Sequence, residues 1–243
     1  MARFFVSVDQ LLDNTLILTG ENAAHAKVLR LNTGEQVTVC DGQGNECSCL
    51  VEQMNQSDVV LSVKERYLSK TEPAINVRIY MAFSKGDKLE HVIQKATELG
   101  AYEIVAFPTA RCVSKPDEKS LKKKLERWQK IAASAAEQSG RGRIPQVRAL
   151  NSYKEALEDG ANADLKILFY ENEHATTLKM ALSKGQFQTV CLLTGPEGGL
   201  EEREVEQAAS AGFDICTLGS RILRCETAPL CALSAVMYHV GEF

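Results

Sequence analysis

Apolar positions in the first seventy residues fall in short alternating runs. Val37-Thr38-Val39-Cys40 enters Asp41-Gly42-Gln43-Gly44 and leaves through Cys47 to Val51, an Asp-Gly turn between two strand-like segments, which predicts a hairpin. Val59 to Val63 predicts a further strand, and His25 to Arg30 a short helix. A small barrel or sheet is expected here. Beyond the polar, proline-containing stretch 69–73 the period changes: strand-like runs at 77–83, 104–107, 165–170, 189–194 and 214–218 alternate with helical ones. Leu89, Val92, Ile93, Ala96 and Leu99 share one helical face, with Gly100 where a helix C-terminus wants it. Ser120 is expected to cap a second helix that carries Leu121, Leu125, Trp128, Ala132 and Ala135 and ends near Gly140, with Trp128 in the core. Such alternation predicts an α/β fold with a parallel sheet and helices on both faces.

Composition narrows the class. With 243 residues, 44% hydrophobic and 25% charged, the chain fits one large or two small globular domains and excludes a disordered or fibrous protein. No uncharged apolar run approaches the roughly eighteen residues of a bilayer span, and nothing resembling a signal peptide follows Met1, so a cytoplasmic protein with no membrane partner is expected. The eight cysteines include no CxxC, which favours reduced structural thiols. The four histidines lack ligand spacing, and no metal is expected.

The net charge of −4 conceals an uneven distribution. Residues 73–148 carry fifteen basic against eight acidic side chains, whereas 149–243 carry seven against fourteen. The basic third is suited to an anionic partner despite the acidic total.

Two segments carry candidate chemistry. Leu192-Leu193-Thr194-Gly195-Pro196-Glu197-Gly198-Gly199-Leu200 takes a buried strand into a glycine-rich turn, and the helix that follows opens with acidic residues. Ligands of open α/β sheets collect at such strand ends, and glycine lets the backbone approach them closely. The turn is neither GxGxxG nor a Walker loop, and its acids disfavour a nucleotide phosphate. Spacing alone leaves a plain turn as the alternative. The second segment, Thr217-Leu218-Gly219-Ser220-Arg221-Ile222-Leu223-Arg224-Cys225-Glu226-Thr227-Ala228-Pro229, exits the next strand into a loop with two arginines and a glutamate. Thr227 is placed to cap a helix that tolerates Pro229 in its first turn. A surface ion pair between Arg224 and Glu226 is the alternative to a functional loop.

Together, Gly195 to Gly199 and Leu218 to Ala228 resemble the signatures of the RsmE family, the bacterial small-subunit ribosomal RNA uracil-N3 methyltransferases of the SPOUT superfamily. Lys85-Gly86-Asp87-Lys88, Lys95 to Gly100 and Glu137 to Arg141 fall where that family has similar segments, and Cys225 departs from its more usual threonine. The resemblance implies a PUA-like RNA-binding β-barrel over 1–70 and a SPOUT methyltransferase domain with a trefoil knot over 73–243. It implies S-adenosylmethionine as cofactor, a homodimer, and a uridine of 16S ribosomal RNA, conventionally position 1498, as acceptor. Carried over, Thr194, Gly195, Glu197, Gly198 and Gly199 line one side of the cofactor pocket. Leu218, Gly219, Ile222, Leu223 and Thr227 line the other.

Uracil N3 carries a proton that must leave before it attacks a methyl group. Arg224 and Arg111 are the candidate stabilisers of the resulting anion; the proton acceptor stays open among Glu226, Glu137 and a water. Arg3, His25, Lys27, Arg30, Lys85, Lys88, Lys95, Arg141 and Arg143 are the candidate RNA contacts, whereas Lys122-Lys123-Lys124 reads as a solvated helix face. Two readings compete with this one: a SPOUT enzyme acting on another base or a ribose 2′-oxygen, and a noncatalytic RNA-binding assembly factor.

Overall fold

The computed structural model describes all 243 residues and divides into two compact units. The first comprises Met1–Glu72 with Ala136–Ile144, and the second Pro73–Ala135 with Pro145–Phe243. The stretch 136–144, which the change of pattern near residue 70 could not reveal, thus belongs with the N-terminal unit.

In chain order the first unit contains β1 (Ala2–Phe5), α1 (Val8–Leu11), β2 (Thr15–Leu18), α2 (Gly20–Val28), β3 (Gln36–Cys40), β4 (Asn45–Met54) and β5 (Val59–Leu68). The expected hairpin forms, with Val39 opposite Cys47. Its turn is held by the Asp41 carboxylate, which accepts from the N–H groups of Gln43 at 2.7 Å and Asn45 at 3.1 Å. Alternate residues of the strands point inward, so that Phe4, Leu16, Leu18, Val37, Val39, Cys47, Val51 and Leu61 make one core. Each large member contributes about 2 kcal/mol by leaving water. The sheet has five strands in the order β1-β3-β4-β5-β2. Of the barrel or sheet expected here, the structure forms a curled, open half-barrel sheet, because β1 pairs only with β3 and β2 only with β5. The helix expected over His25 to Arg30 starts earlier, at Gly20, and ends at Val28; beyond its C-cap Leu29, Arg30 has φ 56°, a left-handed conformation that few non-glycine residues adopt.

Glu72 secures the stretch 136–144. Its carboxylate meets the Arg141 guanidinium at 2.6 Å and accepts the N–H groups of Gly142 and Arg143 at 3.0 Å. A side chain at Gly142 would strike Ser69 and Glu46, so only glycine lets this loop lie so close to β4 and β5.

The second unit contains β6 (Asn76–Ala82), α3 (Lys88–Glu98), β7 (Glu103–Phe107), α4 (Glu118–Ser139, whose last residues count with the first unit), β8 (Gln146–Ala149), α5 (Tyr153–Gly160), β9 (Leu165–Phe169), α6 (Leu178–Leu182), β10 (Thr189–Thr194), α7 (Glu202–Ser210), β11 (Asp214–Cys216) and α8 (Thr227–His239). All five anticipated strands are present, and β8 joins them. Every pairing in this sheet is parallel, in the order β11-β9-β10-β6-β7-β8. The near-continuous apolar runs of β6, β7 and β10 are what a sheet buried on both faces requires. Trp128 is buried as expected, with the Lys124 ammonium 5.8 Å from its ring centre. Ser120 does not cap α4; its N–H donates to Asp117 at 2.7 Å, so the carboxylate on the residue just ahead of the helix does that work. Glu226, not Thr227, precedes the first turn of α8, with Pro229 buried inside that turn.

The strand order records a reversal. The chain steps from β6 outward to β7 and β8, crosses to β9, and then inserts β10 between β9 and β6. A crevice outside the carboxyl ends of the strands is expected at such a switch point.

At one flank of the sheet a polar network closes over β6, β7 and β8. Arg148 donates to Glu103 at 2.7 Å and also pairs with Asp159, which accepts the Tyr80 hydroxyl at 2.5 Å. Burial opposes the charge on Asp159, yet the Tyr80 hydroxyl and the Arg148 guanidinium hold its carboxyl below the ordinary value of 3.8. Arg148→Met leaves two carboxylates facing each other and is expected to lower unfolding free energy by about 2 kcal/mol, the full loss for a buried pair being reduced by partial exposure. Because the folded value of Asp159 is depressed, the stability it adds is present above the ordinary value and lost as the pH falls through the folded one. Denaturant titrations of wild type and Arg148→Met at pH 7 and in acid check both: the gap between them narrows in acid.

Candidate active site

Three loops at the carboxyl ends of β9, β10 and β11 enclose a crevice of about 620 Å3, within the range of small-molecule sites. They run from Phe169 to His174, from Thr194 to Gly199 and from Thr217 to Cys225. The two loops singled out in the sequence thus meet in one pocket, and the third, with Tyr170, Glu171, Asn172 and His174, escaped notice. Its signal was positional, since it follows a sheet strand just as the other two do.

The β10 loop is shaped by its glycines. Gly199 has φ +69°, and its N–H donates to the Pro196 carbonyl at 3.0 Å, closing a tight turn. A Cβ on Gly195 would lie 2.9 Å from Leu200 Cγ, and one on Gly198 3.2 Å from Arg111 Cβ. Thr194 is buried at the end of the strand, while Glu197 and Gly198 are exposed in the crevice wall. The acids that follow serve the helix: the Glu201 N–H donates to Glu204 at 2.9 Å in a capping box, and Glu204 also accepts the Ala110 N–H at 2.9 Å. The N-terminus of α7 is therefore occupied by the protein's own carboxylates, which leaves no cradle for a pyrophosphate.

The β11 loop turns at Gly219, φ +107°, whose N–H donates to the Thr217 hydroxyl at 3.1 Å. Leu218, Gly219, Ile222 and Leu223 line the crevice, with Ile222 84% exposed; Thr227 lies just beyond, in the first turn of α8. Arg224 lines the wall as an exposed cation and forms no ion pair with Glu226, so that alternative is set aside. Glu226 is instead approached by the Lys88 ammonium at 3.7 Å and accepts the Cys225 thiol at 3.2 Å. Burial first, then the neighbouring Glu226, pushes the Cys225 thiol up to about 12, so it stays protonated. Burial works against ionised Glu226, but its own N–H, the thiol, Lys88 and Arg224 together hold its carboxyl below the usual range. Arg111 reaches the β10 loop directly, donating to the Gly198 carbonyl at 3.2 Å, and lines a smaller adjoining recess with Tyr170, Glu171 and Asn172.

The candidate RNA contacts divide sharply. Within the first unit, Arg3 pairs with Glu46 at 2.7 Å and donates to the Arg141 carbonyl at 3.3 Å. His25 meets Glu137 at 2.8 Å and stacks edge-on against Phe4, which commits Glu137 there and away from the crevice. Arg141 is 3% exposed and bound to Glu72, a correction to its expected place on a phosphate-facing surface. Arg143 donates to the Gln43 carbonyl at 3.0 Å. Lys27 bonds the Gln56 carbonyl, and Arg30 is exposed without an ion pair. In the second unit Lys95 pairs with Glu98 along α3, and Lys85 is exposed. Lys88, placed beforehand among the RNA contacts, instead meets Glu197 at 3.0 Å.

No group of His, Cys, Asp and Glu side chains could hold a metal ion, all eight cysteines are free, and no helix is long and apolar enough to cross a membrane.

A parallel α/β unit with a crevice at the carboxyl ends of its strands, joined in one chain to a small β-rich unit, is the architecture to be compared with known proteins. The family model described as an RNA methyltransferase domain matches residues 71–237, and that of an RNA methyltransferase PUA domain matches 18–64. The chain is 39% identical to ribosomal RNA small subunit methyltransferase E of Bacillus subtilis, over 98% of this chain and 96% of that one. It is 33% identical to the protein of the same name in Mesomycoplasma hyopneumoniae, over 96% and 98%. Its structure superposes with a TM-score of 0.87 on the crystal structure of ribosomal RNA small subunit methyltransferase E from Neisseria gonorrhoeae bound to S-adenosyl methionine, at 31% identity over 98% and 97% of the chains. A methyltransferase from Legionella pneumophila in complex with the same cofactor gives 0.85 at 30% identity, over 97% and 96%. The chain belongs to the RNA methyltransferase family that contains ribosomal RNA small subunit methyltransferase E.

Gly199→Ala places a side chain at a left-handed position and against Glu171, at a cost of about 1–2 kcal/mol. Thermal denaturation is expected to show that loss, and a cofactor titration a weaker crevice. An unchanged melting temperature with unchanged affinity would show that the turn does not depend on glycine there.

Proposed function

We propose that this chain is an S-adenosylmethionine-dependent methyltransferase of 16S ribosomal RNA in the small ribosomal subunit, acting on N3 of uridine 1498. The observation that carries the reading is the meeting of the β9, β10 and β11 loops in one crevice that Gly195, Gly198, Gly199 and Gly219 help to line and whose neighbouring helix N-terminus is already capped. That chemistry suits a nucleoside without phosphate. Thr194, Gly195, Glu197, Gly198 and Gly199 would hold it from one side, and Leu218, Gly219, Ile222, Leu223 and Thr227 from the other. S-adenosylmethionine, when bound, supplies an electrophilic methyl group on a sulfonium.

The protein's own task is to make uracil N3 nucleophilic. Arg224 in the crevice wall and Arg111 against Gly198 are exposed cations suited to an anionic uracil oxygen. Glu226 is ionised at neutral pH and is the candidate proton acceptor; Glu137, engaged with His25, is not. Because N3 lies on the Watson–Crick edge, the acceptor base must be unpaired or flipped out.

Residues 1–70 are proposed as the PUA-like RNA-binding domain and 73–243 as the SPOUT methyltransferase domain with a trefoil knot. A homodimer in the cytoplasm completes the proposal. Phosphate contacts fall to cations still exposed, among them Arg30 and Lys85.

Incubating small subunits that lack this modification with labelled cofactor, followed by nucleoside analysis, tests the reading: label is expected on 3-methyluridine. Label on a ribose would contradict the acceptor assignment, and no transfer would favour a noncatalytic binder. Arg224→Ala is expected to lower kcat by about 100-fold, the usual cost of removing one donor to a developing anion.

A further inference from the structure

We infer that Lys88 is a positioning residue for the cofactor crevice, a cationic strut that ties the β10 loop to the β11 loop. The inference rests on the cofactor reading proposed above and assigns a role to a side chain outside the crevice wall. Lys88 opens α3, and its ammonium lies 3.0 Å from Glu197 of the first loop and 3.7 Å from Glu226 at the end of the second. It also stands 3.9 Å from the Cys225 thiol. Glu197 and Cys225 line the crevice whereas Lys88 does not, so Lys88 acts through them.

The turn before α3 strengthens the clamp. Gly86, at φ +66°, bends the chain so that the Lys85 N–H donates to the same Glu197 oxygen at 2.9 Å. One carboxylate thus receives a backbone donor and an ammonium from adjacent turns of chain. Without Lys88, Glu197 and Glu226 would lose the one ammonium they share, and the repulsion between their like charges would loosen the two loops. The hydrogen bond to Glu197 raises the Lys88 pKa, so the strut is charged throughout the neutral range. The ammonium is thus directed at the two loops, although the basic character of this stretch of sequence suggested a phosphate contact.

The test uses the full chain and S-adenosylmethionine, first without RNA. Lys88→Met and Lys88→Gln are expected to raise the cofactor Kd about tenfold by calorimetry, with KM for the cofactor rising in step, as for loss of one charge-assisted hydrogen bond. Lys88→Arg, which keeps the charge, is expected to restore binding to within about threefold. The salt dependence of RNA binding should be unaltered in Lys88→Met; a phosphate contact would reduce its slope by about one. Unchanged cofactor affinity in both neutral variants, or a lowered RNA salt slope with normal cofactor affinity, overturns the inference. Failure of the wild-type chain to bind the cofactor at all would instead defeat the cofactor reading.

Discussion

The insertion of β10 between β9 and β6 is the constraint on which the site depends. A parallel sheet points all its carboxyl ends the same way, so the loops after β9, β10 and β11 share one edge. Placing the later strand between two earlier ones brings those loops face to face and opens the crevice between them. The burial of β10, where Val190, Cys191, Leu192 and Leu193 are wholly inaccessible, anchors this arrangement in the core of the unit.

On that frame the loops solve two electrostatic problems. The acids after Gly199 cap α7 through Glu201 and Glu204, so the helix dipole is satisfied internally by the protein's own carboxylates. The remaining carboxylates, Glu197 and Glu226, are compensated by Lys88 from α3, while Arg111 and Arg224 keep exposed guanidinium groups near the same loops. Carboxylates and exposed guanidinium groups thus occupy distinct positions around the crevice.

Much of this was legible in the sequence because it is local. The Asp41-Gly42 hairpin, the strand runs and the glycine turns each carry their own signature within a few residues. What was not legible is pairing at a distance. Nothing near Arg141 announces Glu72, sixty-nine positions away, so a basic residue read as a phosphate contact proves to be a buried loop anchor. Lys88 likewise lies 109 residues from Glu197 and looked like one more surface cation. The choice between barrel and sheet stayed open for the same reason: strand existence follows from alternation, whereas the edge partners of β1 and β2 depend on topology. The loop after β9 was missed because it has neither glycine nor arginine to mark it.

The most direct measurement of the central claim is amide hydrogen exchange of the full chain with and without S-adenosylmethionine. The account predicts that protection rises together in the loops after β9, β10 and β11 and in the turn that carries Lys85. Protection confined to one of these loops, or appearing only in the N-terminal unit, would contradict it.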